Sequence, residues 1–165
     1  MLVIKEKILS ENEINGNNFS EARYLNCRFQ NLQIKFANFE KVDFVDCDFS
    51  GTLLNTVSFD NCTFEGVKLN WLNFKDVNIT KTQFLGCLME GCTFEKQNLS
   101  TNKFVKANLS ASYFLKCKLR QLRFEDCELQ KVVFDNCDLT EADLTGSSIS
   151  SINYSNSKIS KTTLD

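Results

Sequence analysis

Residues 37–66 read ANFEKVDFVDCDFSGTLLNTVSFDNCTFEG. Phe39, Phe44, Phe49, Leu54, Phe59 and Phe64 stand five apart in this stretch, each two residues after a small side chain. Followed outward, the same beat reaches back to Phe19 and forward to Leu164. That makes 30 consecutive positions at a spacing of five, every one Phe, Leu, Ile, Met or Tyr. Fourteen of the 15 phenylalanines fall in this column, and Phe36 is the exception. All eight cysteines sit two residues before a column residue, in the company of Ala, Val, Ser and Thr. Five of the six glycines sit two residues after one, and Gly16 sits two after Ile14.

Residues two apart in extended chain point to the same side, so the small and large positions face inward together and the residue between them faces out. A period of five matches neither 3.6 nor 2.0, which excludes a continuous helix and a long flat strand. A short extended piece with a bend at every fifth residue keeps both positions buried, and glycine suits such a bend. The absence of proline fits a backbone whose N–H groups bond to the coil above or below. Four bends of about 90° close a square, so 20 residues make one coil. The 30 units then make about 7.5 coils, a parallel all-β rod roughly 36 Å long at ~4.8 Å per coil. Folding at 20 stacks Phe44, Phe64, Phe84, Phe104 and Phe124 on one side. Phe74, Phe94, Phe114 and Phe134 stack opposite them, so the two ladders meet on the axis.

Units such as CRFQN, CDFSG, ANLSA, CDLTE and ADLTG match an A-(D/N)-L-x-x signature, and through them residues 17–164 resemble the pentapeptide-repeat family. The resemblance implies a right-handed quadrilateral β-helix. The N-terminal lead and the Cys-rich units look similar to the quinolone-resistance and microcin-immunity members, which protect DNA gyrase. That likeness implies a non-enzymatic protein that binds gyrase by mimicking duplex DNA and confers quinolone-type resistance. Glu40, Asp43, Asp46, Asp48, Asp60 and Glu65 are then the phosphate-like groups. The alternative is a general protein–protein interaction scaffold with an unrelated partner.

Composition narrows the chemistry. The 165 residues carry 19 Lys+Arg against 21 Asp+Glu, a net charge of −2, too small to suggest direct nucleic-acid binding. No histidine is present, which removes Ser-His-Asp and Cys-His nucleophiles and His-bearing zinc sites. No catalytic, cofactor or metal residues are assigned. Apolar runs are too short to span a bilayer, and the first residues lack a signal-peptide pattern, so a cytoplasmic location is expected.

The columns put Cys27 above Cys47 and Cys117 above Cys137, about one strand spacing (~4.8 Å) apart and within disulfide range. Their register and the absence of a secretion signal favour buried free thiols over a disulfide, metal or redox role. Charge along the chain runs acidic from Ala37 to Gly66, basic from Lys96 to Phe124 and acidic again from Glu125 to Asp143. Leu25, Val45, Leu85 and Val105 share one outward column. Leu53, Tyr113 and Val133 share another, and Trp71 and Phe36 take corner positions. Gln97 and Asn102 break the small-residue rule, and as buried amides they are expected to bond to neighbouring backbone.

Residues 1–13 are expected to fold over the open end as a cap, with the repeat spanning 14–165. At the other end Ile149, Ile152, Tyr154, Ile159 and Leu164 have no lid. A two-fold homodimer through the last coil would bury them.

Overall fold

Residues 1–164 are described by a computed structural model of the chain. Every pairing in it is parallel and joins residue i to residue i+20: Phe44 to Phe64, Phe64 to Phe84 and Phe84 to Phe104 among them. The predicted 20-residue coil is therefore the observed one, and the chain is a four-sided β-helix. The first face holds Ile4, Tyr24, Phe44 and their successors, and Leu2–Lys5, Ala22–Leu25, Asp43–Val45, Thr63–Glu65, Gln83–Leu85, Lys103–Val105 and Phe124–Glu125 pair along it as one seven-stranded sheet. The second face, through Leu9 and Phe29, is joined by single bridges from Ile8↔Arg28 to Glu128↔Ser148. The third passes through Ile34, Leu54, Phe74 and Phe94, and the fourth through Phe19, Phe39, Phe59 and Ile79.

Aromatic rings hold the axis. Phe64, Phe84 and Phe104 stack at centroid distances of 5.1 and 5.0 Å, while Phe74, Phe94 and Phe114 stack opposite them at 4.8 Å each. The two ladders meet edge to face, as at Phe94–Phe104 (6.3 Å) and Phe114–Phe124 (6.0 Å). Such offset and T-shaped contacts suit the ring quadrupole.

The corners are not reserved for glycine. From Gly16 to Lys161 the corner residue is left-handed throughout, except at Asp76 and Thr101. Six of these left-handed residues are glycine, yet 22 are not, Lys131 (φ 59°) and Thr56 (φ 54°) included. Each non-glycine residue there costs roughly 1–2 kcal/mol. The fold tolerates it because every corner lies between sides already held by rungs and rings.

The inward small position does more than fill space. Cys47, Cys62, Cys87, Cys92 and Cys137 each point a thiol at the carbonyl of the large residue 23 positions earlier, at 3.0–3.4 Å. Thr52 and Ser112 donate to the equivalent carbonyls of Phe29 and Met89. Asn102 and Gln97 obey the same rule with longer arms, donating to Ile79 (3.0 Å) and Phe74 (2.7 Å). All eight cysteines are buried free thiols, and burial pushes Cys47, Cys62, Cys87 and Cys92 up to about 12.

The leading segment does not lie across the end. Leu2–Lys5 adds a rung to the first face, registered Leu2↔Ala22 through Lys5↔Leu25, and Ile8 bridges to Arg28 on the second. Ile4, Leu9 and Ile14 thus continue the apolar column ahead of Phe19. On the third face a one-turn helix, Glu11–Ile14, replaces the strand. Its carboxylate Glu11 and the adjacent Asn15 accept the N–H groups of Gln33 (2.7 Å) and Lys35 (2.9 Å), covering that strand edge with side chains. The reason is the small-position rule: Lys7 and Asn12 stand where Cys or Ala would be needed, but the large positions still qualify.

Three outcomes follow from this architecture. Phe84→Ala, removing a fully buried ring, is expected to lower unfolding free energy by about 3–5 kcal/mol in urea titration. Lys131→Gly, at an exposed left-handed corner, should raise it by about 0.5–1 kcal/mol, because the strain relieved exceeds the entropy lost. The thiols should all be titratable by a disulfide reagent in denaturant and silent in the native protein. Because Cys47, Cys62, Cys87 and Cys92 ionise near 12 in the fold, against an ordinary thiol value near 9, their contribution is complete below pH 9 and lost as pH rises toward 12. A thermal midpoint that holds steady across that window would refute it.

Candidate protein-interaction surface

Rings and small side chains fill the rod, so only outward side chains meet other molecules. The six acidic residues do not share a side. Glu40 and Asp60 are rung neighbours on the fourth face. Asp43 and Glu65 lie on the first, Asp46 on the corner after it, and Asp48 on the second. They form a belt around three sides of the rod. Part of their charge is already met: Arg23 lies 3.9 Å from Asp43, Lys41 3.7 Å from Glu40 and Lys68 3.7 Å from Asp48, while Thr80 donates to Asp60 at 2.6 Å. The basic band divides similarly, with Lys118 and Arg120 on the fourth face and Lys103 and Arg123 on the first. Among the described residues, Arg120 faces Asp138 at 3.4 Å.

Toward the last coils Ile149, Ile152, Tyr154 and Leu164 are half-buried against the core, and Ile159 is 45% exposed. Leu25, Val45, Leu85 and Val105 are also half-buried, flanked by their rung neighbours.

The third face is different. Phe36, Leu53 and Trp71 are 62%, 63% and 69% exposed. They cross this face diagonally, from its far corner through its centre to its near corner, within two coils. Behind Leu53 and Trp71 the wall is open. Leu53–Asn55 pairs with Gln33–Lys35 below, but no bridge joins it to the coil above, and the ladder resumes only at Asn73↔Thr93. In a closed ladder the N–H groups of Leu54, Thr56 and Asn73 would bond to Asn73, Lys75 and Thr52. Among the described residues none of these bonds is made, and Val57 reaches Asp76 only at 3.4 Å. Leu54, alone among column residues between Tyr24 and Leu144, is half-exposed. A cleft of about 210 Å³ results, lined by Thr52, Leu53, Leu54, Trp71, Asn73, Lys75 and Asp76.

A second opening follows on the fourth face. Val77–Thr80 has no bridge to the coil above, and Gln97 bonds through its amide to Phe74 (2.7 Å) and Val77 (2.6 Å) across the gap. Asn102 likewise accepts from Thr82 (2.9 Å), and Thr101 accepts from Lys81 (3.2 Å). A thiol suffices where coils lie one strand spacing apart. Where they part, the longer amide is needed. Both openings flank the corner at Lys75–Asp76, and Asp76 and Thr101 are the two corners that are not left-handed. Charge there is balanced, with Glu95 3.6 Å from Lys75 and 3.5 Å from Lys96.

Trp71 keeps its place because its neighbours are small. Its ring lies over Gly91, where a Cβ would strike it. The sequence places Phe36 and Trp71 at corners and Leu53 in an outward column, and the structure sets Leu53 and Trp71 on one cleft with Phe36 a coil below it. The amides at 97 and 102 were the available signal.

A family model of the pentapeptide repeat region matches residues 87–164, and one of pentapeptide repeats matches 15–51, 43–80 and 58–95. No curated protein matches the chain. Among solved structures, full-length QnrB1, a plasmid-mediated fluoroquinolone resistance protein, aligns at 17% identity over 92% of this chain and 90% of that one, with a TM-score of 0.46. HetL, a pentapeptide repeat protein involved in heterocyst differentiation regulation in the cyanobacterium Nostoc, aligns at 11% identity over 95% and 84%, with a TM-score of 0.49. A pentapeptide repeat protein from the cyanobacterium Cyanothece aligns at 11% identity over 92% and 90%, with a TM-score of 0.43. The family matches run unbroken from residue 15 to residue 164, over units that fold as the 20-residue coils described above, and the chain belongs to the pentapeptide-repeat family.

Proposed function

We propose that this chain is a non-catalytic binding rod that holds a partner protein against its third face. The observation that carries the reading is the group Phe36, Leu53 and Trp71 on the third face, each more than 60% exposed, where Tyr113 further along is exposed to 45%. Large aromatic anchors clustered at one place are the usual centre of a protein interface. Catalysis has no support: carboxylates on a convex wall stay solvated, and acid–base work needs a group perturbed inside a cleft. Glu13 does ionise unusually low, near 2, but its hydrogen bonds from Lys7 and Ser10 account for that.

The second reading is contact with DNA gyrase or another topoisomerase by DNA mimicry, bringing quinolone-type protection. The acidic belt favours it, above all the paired carboxylates Glu40 and Asp60. The basic band at Lys118, Arg120 and Arg123 opposes it over the rod's full length, because like charge would repel a DNA-binding groove. A homodimer through the last coil belongs with either reading and would cover Ile159.

A photo-cross-linker placed at position 53 is expected to capture a protein partner in cells, and one at position 118 to capture none. Efficient capture from 118 with none from 53 would reject the third face. Purified protein at micromolar concentration is expected to leave gyrase supercoiling unchanged with and without quinolone. Inhibition or drug rescue that disappears in a Glu40→Gln, Asp60→Asn variant would transfer the function to the second reading.

A further inference from the structure

We infer that the opening between Leu54 and Asn73 is a docking site for an extended segment of the partner polypeptide, with one large apolar side chain seated beside Trp71. The inference rests on the reading of the rod as a protein-binding module and names what it grips.

Two independent features point to the same occupant. The first is the missing rung. Backbone N–H groups of Leu54, Thr56 and Asn73 lack their ladder partners, and the carbonyls that would have received them are free of those bonds as well. Leu54 and Thr56 on one coil and Asn73 on the next face each other across the gap. Since Asp48↔Lys68 and Val57↔Val77 hold the same two coils together on the flanking faces, an extended segment lies over the opening and takes these main-chain groups from outside, as extended peptides gain affinity through backbone hydrogen bonds. On the first face the rungs are continuous from Leu2–Lys5 to Phe124–Glu125, so that side has no room for an added strand.

The second feature is the cleft. Leu53, Leu54 and Trp71 give it an apolar lining, with Asn73, Lys75 and Asp76 at its rim. Its volume, about 210 Å³, lies below the roughly 300–1,000 Å³ of small-molecule pockets and suits a single side chain. Nucleic acid is disfavoured because Asp76 and Glu95 offset the charges of Lys75 and Lys96. Phe36, one coil below with its N–H bonded to Asn55 (3.1 Å), extends the apolar strip for a flanking residue of the segment.

Trp71 is the chain's only tryptophan, so its fluorescence reports on this site alone. The probes are blocked heptapeptides of Ser and Thr with Leu, Phe or Gly at the centre. The Leu and Phe peptides are expected to change Trp71 emission saturably in the millimolar range, and the Gly peptide is expected not to. Leu53→Asp, an exposed substitution, should keep the thermal midpoint and weaken the Leu peptide at least tenfold. In the free protein the Leu54, Thr56 and Asn73 amides should exchange at least about tenfold faster than that of Leu53, which is bonded to Leu32 at 2.8 Å, and the Leu peptide should slow them.

The inference falls if those amides are as protected as Leu53, if the Gly peptide acts like the Leu peptide, or if Leu53→Asp leaves the response intact. It falls equally if sedimentation shows Trp71 emission following self-association, because the occupant would then be a second copy. Cross-linking from position 53 with no peptide response would leave the binding-rod reading standing and remove this one alone.

Discussion

Each side of the rod is five residues long, and the chain must turn about a right angle at its end. A left-handed corner does this, and it appears at 29 positions, 23 of them carrying a side chain that opposes it. The conformational cost is offset by rungs on both sides of every coil and by rings stacked 4.8–5.5 Å apart along the first face. No corner is stable alone. Once one coil is ordered, though, the next is templated by its unmet N–H and C=O groups, which is why solenoid stability resides in neighbouring interfaces.

The inward donor rule adds a second tie between coils. A thiol, hydroxyl or amide reaches back 23 residues to a carbonyl on the neighbouring coil, which at Leu69, Phe74 and Met89 also accepts the N–H three residues on. This explains why cysteine shares its position with serine, threonine and alanine yet is the most frequent of the polar choices. Its S–H is a weak donor on an otherwise apolar group, so burial costs little and the carbonyl is still met. Gln97 and Asn102 carry the same tie where the coils part, and the opening is thereby stabilised rather than merely tolerated. The wall is closed nearly everywhere, and these amides bridge it where the coils part.

Much of this was legible in the chain. The five-residue column named the coil, its 20-residue period and the two ring ladders, because volume and burial repeat in sequence as they do in space. Other features were not. Glycine marks six corners in the sequence, but nothing there shows that Lys131, Thr56 and Trp71 adopt the same left-handed backbone. Lys7 and Asn12 suggested that the pattern had ended, although Ile4, Leu9 and Ile14 still carried it. The acidic residues from Glu40 to Glu65 are close in sequence, but a coil spreads such neighbours around three sides.

Residue spacing alone determined which side chains meet on the axis, since a period of five with parallel stacking has one solution that buries every large side chain. Tertiary structure decided where the wall opens and what stands beside the opening. Whether the rung from Leu54 to Asn73 forms depends on the backbone angles at Asp76 and on how far apart two coils settle. Those quantities arise from the balance of many rungs and are written at no single position.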